Sequence, residues 1–215
     1  MNIRTGKSLI WDAPTRVFHW LLVLSFFTCY LTGEDDRWAL LHVTGGFTAG
    51  LLIVFRLIWG FTGSRHARFS SFAKAPGEVL TYLKQISRGK AAHFAGHNPL
   101  GFVSILLLLF LGTIVTSSGI LVYEDISIPY LEEVHEWSSN LMLAVVGVHV
   151  TGVGVSSYLH QENLVKAMIT GRKSDFEKEA IQQPHRWMAA MLVIIVLCLW
   201  IGSYLEAFQG FLEKI

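Results

Sequence analysis

Two histidines, His135 and His149, bracket a stretch that reads HEWSSNLMLAVVGVH, in which Glu136 is the only charge between them. In a helix, fourteen steps come to about 1400°, roughly 40° short of four full turns, so both imidazoles project from nearly one face. At about 1.5 Å of rise per residue they lie roughly 21 Å apart along the axis. A membrane helix that offers an imidazole near each end of one face can ligate two stacked metal centres. Two buried, hydrogen-bonded histidines are the plain alternative, and the positions of the other histidines weigh between the two.

The elements that must carry these residues are membrane helices. Of the 215 residues 52% are hydrophobic and 15% charged, and the mean hydropathy is +0.46. The apolar residues fall in blocks of about twenty, the length that crosses roughly 30 Å of hydrocarbon. Five such spans are expected, near 16–33, 38–61, 99–123, 134–158 and 187–204. The expected fold class is all-α, a polytopic transmembrane bundle. Residues 1–160 form a four-helix core, 161–186 a connector, and 187–215 a fifth span with a short tail. Residues 1–15 read as a polar leader, and the first apolar run as a retained helix, since no small-residue cleavage signature follows it. In the long polar segment 62–98, PGEVLTYLKQIS opens on Pro76, a favourable first helical residue. It places Val79, Leu80, Leu83 and Ile86 on one face, as a helix lying in the membrane interface requires. Cys29 and Cys198 sit inside apolar blocks as packing residues, and no C-x-x-C-H or C-x-x-C indicates covalent haem or zinc. Trp187, Trp200 and Tyr204 are placed as interfacial anchors.

Basic residues are segregated by side. The leader holds Arg4, Lys7 and Arg16, the 62–98 segment six Lys/Arg and the 159–186 segment five, against Arg37 and Lys214 on the other side. The positive-inside bias puts the N-terminus and both long segments in the cytoplasm and the C-terminus outside. The outer loops are acidic, with Glu34, Asp35, Asp36, Glu124, Asp125, Glu132 and Glu133.

With that topology each intramembrane histidine has a depth, and ionisable groups inside spans are functional candidates by default. His42 and His135 open the second and fourth spans at the outer side, while His19 and His149 lie in the inner halves of the first and fourth. The expected pairs are His42 with His135 outside and His19 with His149 inside. The inner depth match is the looser one, because His149 is eleven residues from His160. Two histidines on opposite faces of a flat macrocycle are the axial ligands of six-coordinate haem b, a centre that passes electrons because no position is open for oxygen. Zinc or copper would need histidines converging within about 2 Å of one ion. Gly45, Gly46 and Gly50 after His42, and Gly147 and Gly152 around His149, allow close approach of a helix or a bulky cofactor. Arg56, fourteen residues after His42, and Arg16 stand at the inner margin. One of them could pair with propionates of the inner haem; snorkelling to lipid headgroups is the alternative.

FHW in the first span, LLHVTGG opening the second, GHNPLG opening the third and HEWSSNLMLAVVGVH in the fourth resemble the bacterial cytochrome b561 family, over about residues 10–175. That family is related to the cytochrome b subunits of nickel–iron hydrogenases and formate dehydrogenases. The resemblance implies a four-helix bundle with two b haems, with His19, His42, His135 and His149 as axial ligands. It also implies a respiratory-chain role in a bacterial inner membrane, exchanging electrons between the quinone pool and a redox partner. The fifth span departs from the shortest family members, which stop after four.

His97 and Asn98, at the mouth of the third span, could hydrogen-bond a quinone carbonyl, or Asn98 and Pro99 simply start a helix. His160 and His185 could relay protons at the cytoplasmic margin; His66 and His93 read as loop residues. The leading expectation is a di-haem cytochrome linking quinone to a periplasmic cytochrome or iron–sulfur protein that presents a basic patch to the acidic outer loops. The lipid bilayer is its medium, and no nucleic-acid partner is expected. A self-contained superoxide:quinone oxidoreductase is the rival. It would want a cationic funnel for its anionic substrate, and the outer loops supply only Arg37. A transporter with functional histidines would want discontinuous helices, and the only mid-span breakers are glycines.

Overall fold

Helix starts in this chain are set by side chains that take over the unpaired first-turn N–H groups. Asp12 caps the helix α1 (Ala13–Thr32), its Oδ1 accepting from the Thr15 N–H at 2.9 Å, with a proline in the first turn. Asn98 does the same for α5 (Pro99–Tyr123), accepting from the Gly101 N–H at 2.7 Å. A 3-10 turn over Asp36–Trp38, capped by Asp35, leads into α2 (Ala39–Thr62). A left-handed Tyr130, at φ 61°, turns the chain into α6 (Leu131–Leu159). The last long helix, α8, covers Arg186–Leu212.

The structure is a computed structural model that describes residues 6–72 and 76–212. Arg4, Lys74 and Lys214, counted above among the basic residues, lie outside the described residues. All five expected spans are helices long and apolar enough to cross a membrane. Each expected span differs from its helix mainly at the ends, most of all the fifth, because flanking turns with polar residues continue the helical hydrogen bonding. The expected helix in the 62–98 segment is present as α4 (Pro76–Ser87), with Leu80 and Leu83 exposed. Two short helices, α3 (Phe69–Phe72) and α7 (Leu164–Thr170), complete the set.

The long helices form two hairpins, α1 with α2 and α5 with α6, joined by packing of α2 on α5. In α2 the close approach to α1 needs Gly45, where a Cβ would stand 2.7 Å from the Cys29 Sγ. The fifth helix α8 lies against α1 and α2, and its Leu192 and Val196 share a buried cluster with Phe18, Leu52 and Leu109. Trp200 donates from Nε1 to the Thr48 hydroxyl at 3.0 Å. Trp200 is therefore a tie to the bundle, whereas Trp187 and Tyr204 are exposed. A second cluster, Phe26, Leu111 and Met142, fills the middle of the bundle between α1, α5 and α6.

The leader is not a polar tail. Ser8–Leu9 (β1) pairs antiparallel with Arg172–Lys173 (β2), and Ile10, Trp11 and Asp12 are buried. The reason is that residues 8–15 are covered by α7 and the neighbouring loops: Ile10 and Trp11 both donate to the Gly171 carbonyl, and Ala13 to that of Pro184. The bundle thus has a basic end, where the leader and both long connectors interlock, and an acidic end with two short loops.

Candidate functional site

At the acidic end the rings of His42 and His135 face each other across the two hairpins, centroids 6.1 Å apart and planes at 72°. Each ring is held by the partner helix of its own hairpin. His42 Nδ1 lies 3.0 Å from the Cys29 carbonyl oxygen on α1, and His135 Nδ1 2.9 Å from that of Val115 on α5. A carbonyl only accepts, so both Nδ1 atoms carry the proton and both Nε2 atoms keep a lone pair for a metal. Space for the rings comes from two glycines. A Cβ at Gly119 would stand 2.9 Å from His135 Cε1, and one at Gly33 3.3 Å from His42 Cε1. The Ser118 hydroxyl, 3.3 Å from His135 Nδ1, lies on the same side of that ring.

The second pair is levelled by the central cluster. Phe26 follows His19 by seven residues on α1, and Met142 precedes His149 by seven on the antiparallel α6. Seven residues are nearly two turns and about 10 Å, so each histidine lies below its cluster residue on the same face. His19 and His149 therefore stand at one depth, within electrostatic range of each other. From His149 the helix α6 runs on to Leu159, whereas α1 begins at Ala13, closer to His19. His19 Nδ1 is shielded from solvent and has no hydrogen-bond partner among the described residues. The helices α1 and α6 that carry this pair make little backbone contact with each other, each packing along its own hairpin partner.

The other expected residues sit at the basic end. Arg56 is 3% exposed, donates from Nη1 to the Ala67 carbonyl at 2.9 Å, and has its guanidinium 4.9 Å from the Phe69 ring. It is a buried interior cation, so snorkelling to lipid does not describe it. Arg16 instead ties α1 to α7, donating from Nη1 to the Ile169 carbonyl at 2.6 Å. His97 packs at a tilt against the buried Trp11, ring centroids 4.6 Å apart and planes at 54°. Burial, then the nearby Arg56 and His149, push its pKa well below the ordinary histidine value of 6.5, so it is neutral. Asn98 is the cap described above, and its amide nitrogen carries two further donors. His160 stacks on His93 with centroids 4.5 Å apart, and His93 Nε2 is 3.0 Å from Glu162 Oε2, which also receives the buried Lys173 at 3.0 Å. His185 packs edge-on against Trp59, 5.4 Å away. His66 and His93 are in loops as expected, yet His66 is buried, with Nε2 2.8 Å from the Glu179 carbonyl oxygen.

Sequence reasoning missed Trp11, Gly33, Gly119, Tyr82 and Ser156. Tyr82 is the buried residue of α4, its ring edge-on to Phe94 at 5.8 Å. The D-x-x-T of Asp12 and Thr15 was a helix-start signal that could have exposed the leader as structured. Glycines opposite histidines on other helices carry no local signal.

The sequence profile described as prokaryotic cytochrome b561 matches residues 10–171. The chain belongs to this family. Among curated relatives it is 22% identical to a protein of Cupriavidus necator, over 80% of this chain and 91% of that one. It is 20% identical to one of Bradyrhizobium diazoefficiens, over 76% of this chain and 85% of that one. Both are named as probable Ni/Fe-hydrogenase B-type cytochrome subunits. No solved structure matches the chain significantly. This cytochrome b561 is thus a multi-pass bacterial membrane protein of b-type electron transfer, and its cofactor is haem b. The residues at the acidic end fit that group. A metal–imidazole bond is about 2 Å and a ring nitrogen about 1 Å from its centroid, so two axial imidazoles on one iron have centroids about 6 Å apart. His42 and His135 have that separation, with the tautomers that ligation requires.

Proposed function

We propose that this cytochrome carries electrons through the membrane over two b haems, one held by His42 and His135 and one by His19 and His149. The observation that carries the reading is the His42–His135 pair, 6.1 Å between ring centroids with both Nδ1 protons donated to carbonyls. Haem b with both axial positions filled supplies one-electron transfer without an open coordination site for oxygen. The carbonyls of Cys29 and Val115 hold the imidazoles at fixed rotation and raise their basicity, which tunes the potential at that end. The layer of Phe26, Leu111 and Met142, about 10 Å from each histidine level, lies between the two pairs. At the basic end, neutral His97, the buried Arg56 and the Asn98 amide offer polar groups near His149. There a quinone headgroup exchanges electrons, and Arg56 is the cation available to a propionate.

The basic end faces the cytoplasm and the acidic end the periplasm, following the positive-inside bias. The partner at the acidic end is a redox protein with a basic patch, and the hydrogenase-subunit names of the relatives favour a hydrogenase complex. Glu34, Asp36, Glu124, Asp125, Glu132 and Glu133 are all exposed, and Ile126, Ile128 and Tyr130 form an exposed apolar tip among them. The superoxide reading is weaker still in three dimensions, since Arg37 is bound to Asp35 at 2.6 Å and offers little to steer an anion.

Haem content by pyridine haemochrome, with a redox titration of the purified protein, tests the core of this reading. Two b haems per chain with low-spin bis-imidazole spectra are expected, and one or none would refute it. Electron transfer to a basic partner that ignored ionic strength would refute the acidic docking face.

A further inference from the structure

The helices α1 and α8 both start at the basic end, where the Ala13 N–H donates to the Pro184 carbonyl at 2.9 Å. Beside that tie a groove of about 300 Å³ opens on the surface of the bundle. Arg16, Val17, Trp20 and Leu21 of α1 form one wall, Val193 of α8 the other, and Ile169 of α7 closes its upper end. Both α1 and α8 are membrane spans, so what fills this groove comes from the bilayer or from its interface.

The charge at the groove is held in place. Arg16 donates from Nη1 to the Ile169 carbonyl at 2.6 Å and from Nε to the Asp12 carbonyl at 3.3 Å. It also packs on backbone, since a Cβ at Gly171 would stand 3.1 Å from its Nε. Those bonds use two of its N–H groups and leave the rest of the guanidinium fork open. The Asp12 carboxylate is buried and already accepts from the Thr15 N–H and from Trp59 Nε1 at 3.0 Å. On α8 the exposed Arg186 precedes Val193 by seven residues, nearly two turns. It therefore stands on the groove face, about 10 Å nearer the basic end. Arg16 and Arg186 are within electrostatic range of each other. Neither has a carboxylate within ion-pair distance among the described residues. On α7 the exposed Lys166 lies one turn before Ile169 and adds a third cation on that side.

Two unpaired cations at the edge of a low-dielectric slab repel each other, and an anion between them removes that cost. A charge that serves only membrane orientation needs neither a fixed guanidinium nor a groove. Free phosphate would satisfy the arginines and leave the walls of Val17, Leu21 and Val193 without a partner. A phospholipid of net negative charge meets both halves, as in basic pockets between membrane helices.

We propose that this groove is a binding site for an anionic phospholipid, its phosphate between Arg16 and Arg186 and an acyl chain along Val17, Leu21 and Val193. The lipid bridges α8 to α1 and so fastens the fifth helix to the four-helix core. The site is independent of the haem and quinone assignments.

The test is native mass spectrometry of the full-length protein in a neutral detergent, with dioleoylphosphatidylglycerol and dioleoylphosphatidylcholine as probes. One phosphatidylglycerol per chain is expected to bind about tenfold or more tightly than phosphatidylcholine and to raise the melting temperature. Arg186→Gln, at an exposed position, should weaken phosphatidylglycerol about tenfold, the worth of a charge-assisted hydrogen bond, and leave phosphatidylcholine unchanged. Val193→Phe keeps every charge and fills the apolar part of the groove, and it should weaken phosphatidylglycerol as well. Equal affinity for the two lipids in the unmodified protein would overturn the proposal. So would displacement of the lipid by inorganic phosphate at equal concentration, which would make the ligand a free anion. If Arg186→Gln weakens binding and Val193→Phe does not, the lipid is held by surface charge alone and the groove is not its site.

Discussion

Phe26 of α1 and Met142 of α6 share one buried cluster with Leu111, and Met142 lies midway between His135 and His149, seven residues from each. The same interval on α1 separates His19, Phe26 and Gly33. The acidic-end histidines, the apolar layer and the basic-end histidines thus form three levels about 10 Å apart. Met142→Ala should destabilise the protein by about 2–5 kcal/mol on the scale of buried large-to-small changes, with both haem steps still present in a redox titration. Denaturation in detergent followed by haem absorbance checks it. Loss of one haem alone would show that the layer belongs to one site.

The two pairs should fail separately. His135→Ala or His42→Ala should remove one haem per chain and leave the other's potential near its original value; His149→Ala or His19→Ala should remove the other. Gly119→Ala is a milder probe, because its methyl would stand 2.9 Å from a ring held by the Val115 carbonyl. It should lower occupancy or shift the potential at the acidic end only. Haemochrome content and titration of each variant decide this, and equal loss of both haems from His135→Ala would break the pairing.

Stability should fall toward acid. Burial above all holds the pKa values of His97 and His66 below the ordinary 6.5. As the pH drops through about 6.5 the unfolded chain takes up protons there and the folded chain does not, so stability is full above that value and declines below it. Melting temperatures between about pH 8 and about pH 5.5 should show the slope, and His66→Gln, which can still donate to the Glu179 carbonyl, should flatten part of it. A slope unchanged in that variant would assign it elsewhere.

Glu162 and Lys173 form an ion pair whose lysine is 3% exposed and also donates to the Phe94 carbonyl at 2.7 Å. Burial raises the Glu162 pKa, but the bonds from His93 and Lys173 outweigh it and hold it below its usual value. Glu162→Gln should cost on the order of 3 kcal/mol, because it strands a buried ammonium. Adding Lys173→Met should recover most of the loss. The two melting temperatures settle it, and a double variant as weak as the single one would contradict this account.

Local chemistry made most of the fold legible. Twenty-residue apolar runs demand helices in lipid, since every backbone polar group must be satisfied within its own segment, and the Asn98–Pro99 and Pro76 starts are capping signals of a few residues. The histidine pairs were legible as far as helical periodicity reaches: His135 and His149 share a face of one helix whatever surrounds them. What α6 faces is a different kind of fact. The level of His19 against His149 depends on Phe26 meeting Met142, and the tautomers of His42 and His135 on carbonyls of helices thirteen and twenty residues away. The leader read as polar because its buried members, Ile10 to Asp12, are covered by a segment some 160 residues later. Tyr82 lay outside the apolar stripe of Val79, Leu80, Leu83 and Ile86, and only packing shows that it is buried. Periodicity and capping act within a helix and can be read along the chain; register between helices, ring rotation and the burial of a hydroxyl arise from contacts between distant segments, and only the tertiary structure decided them.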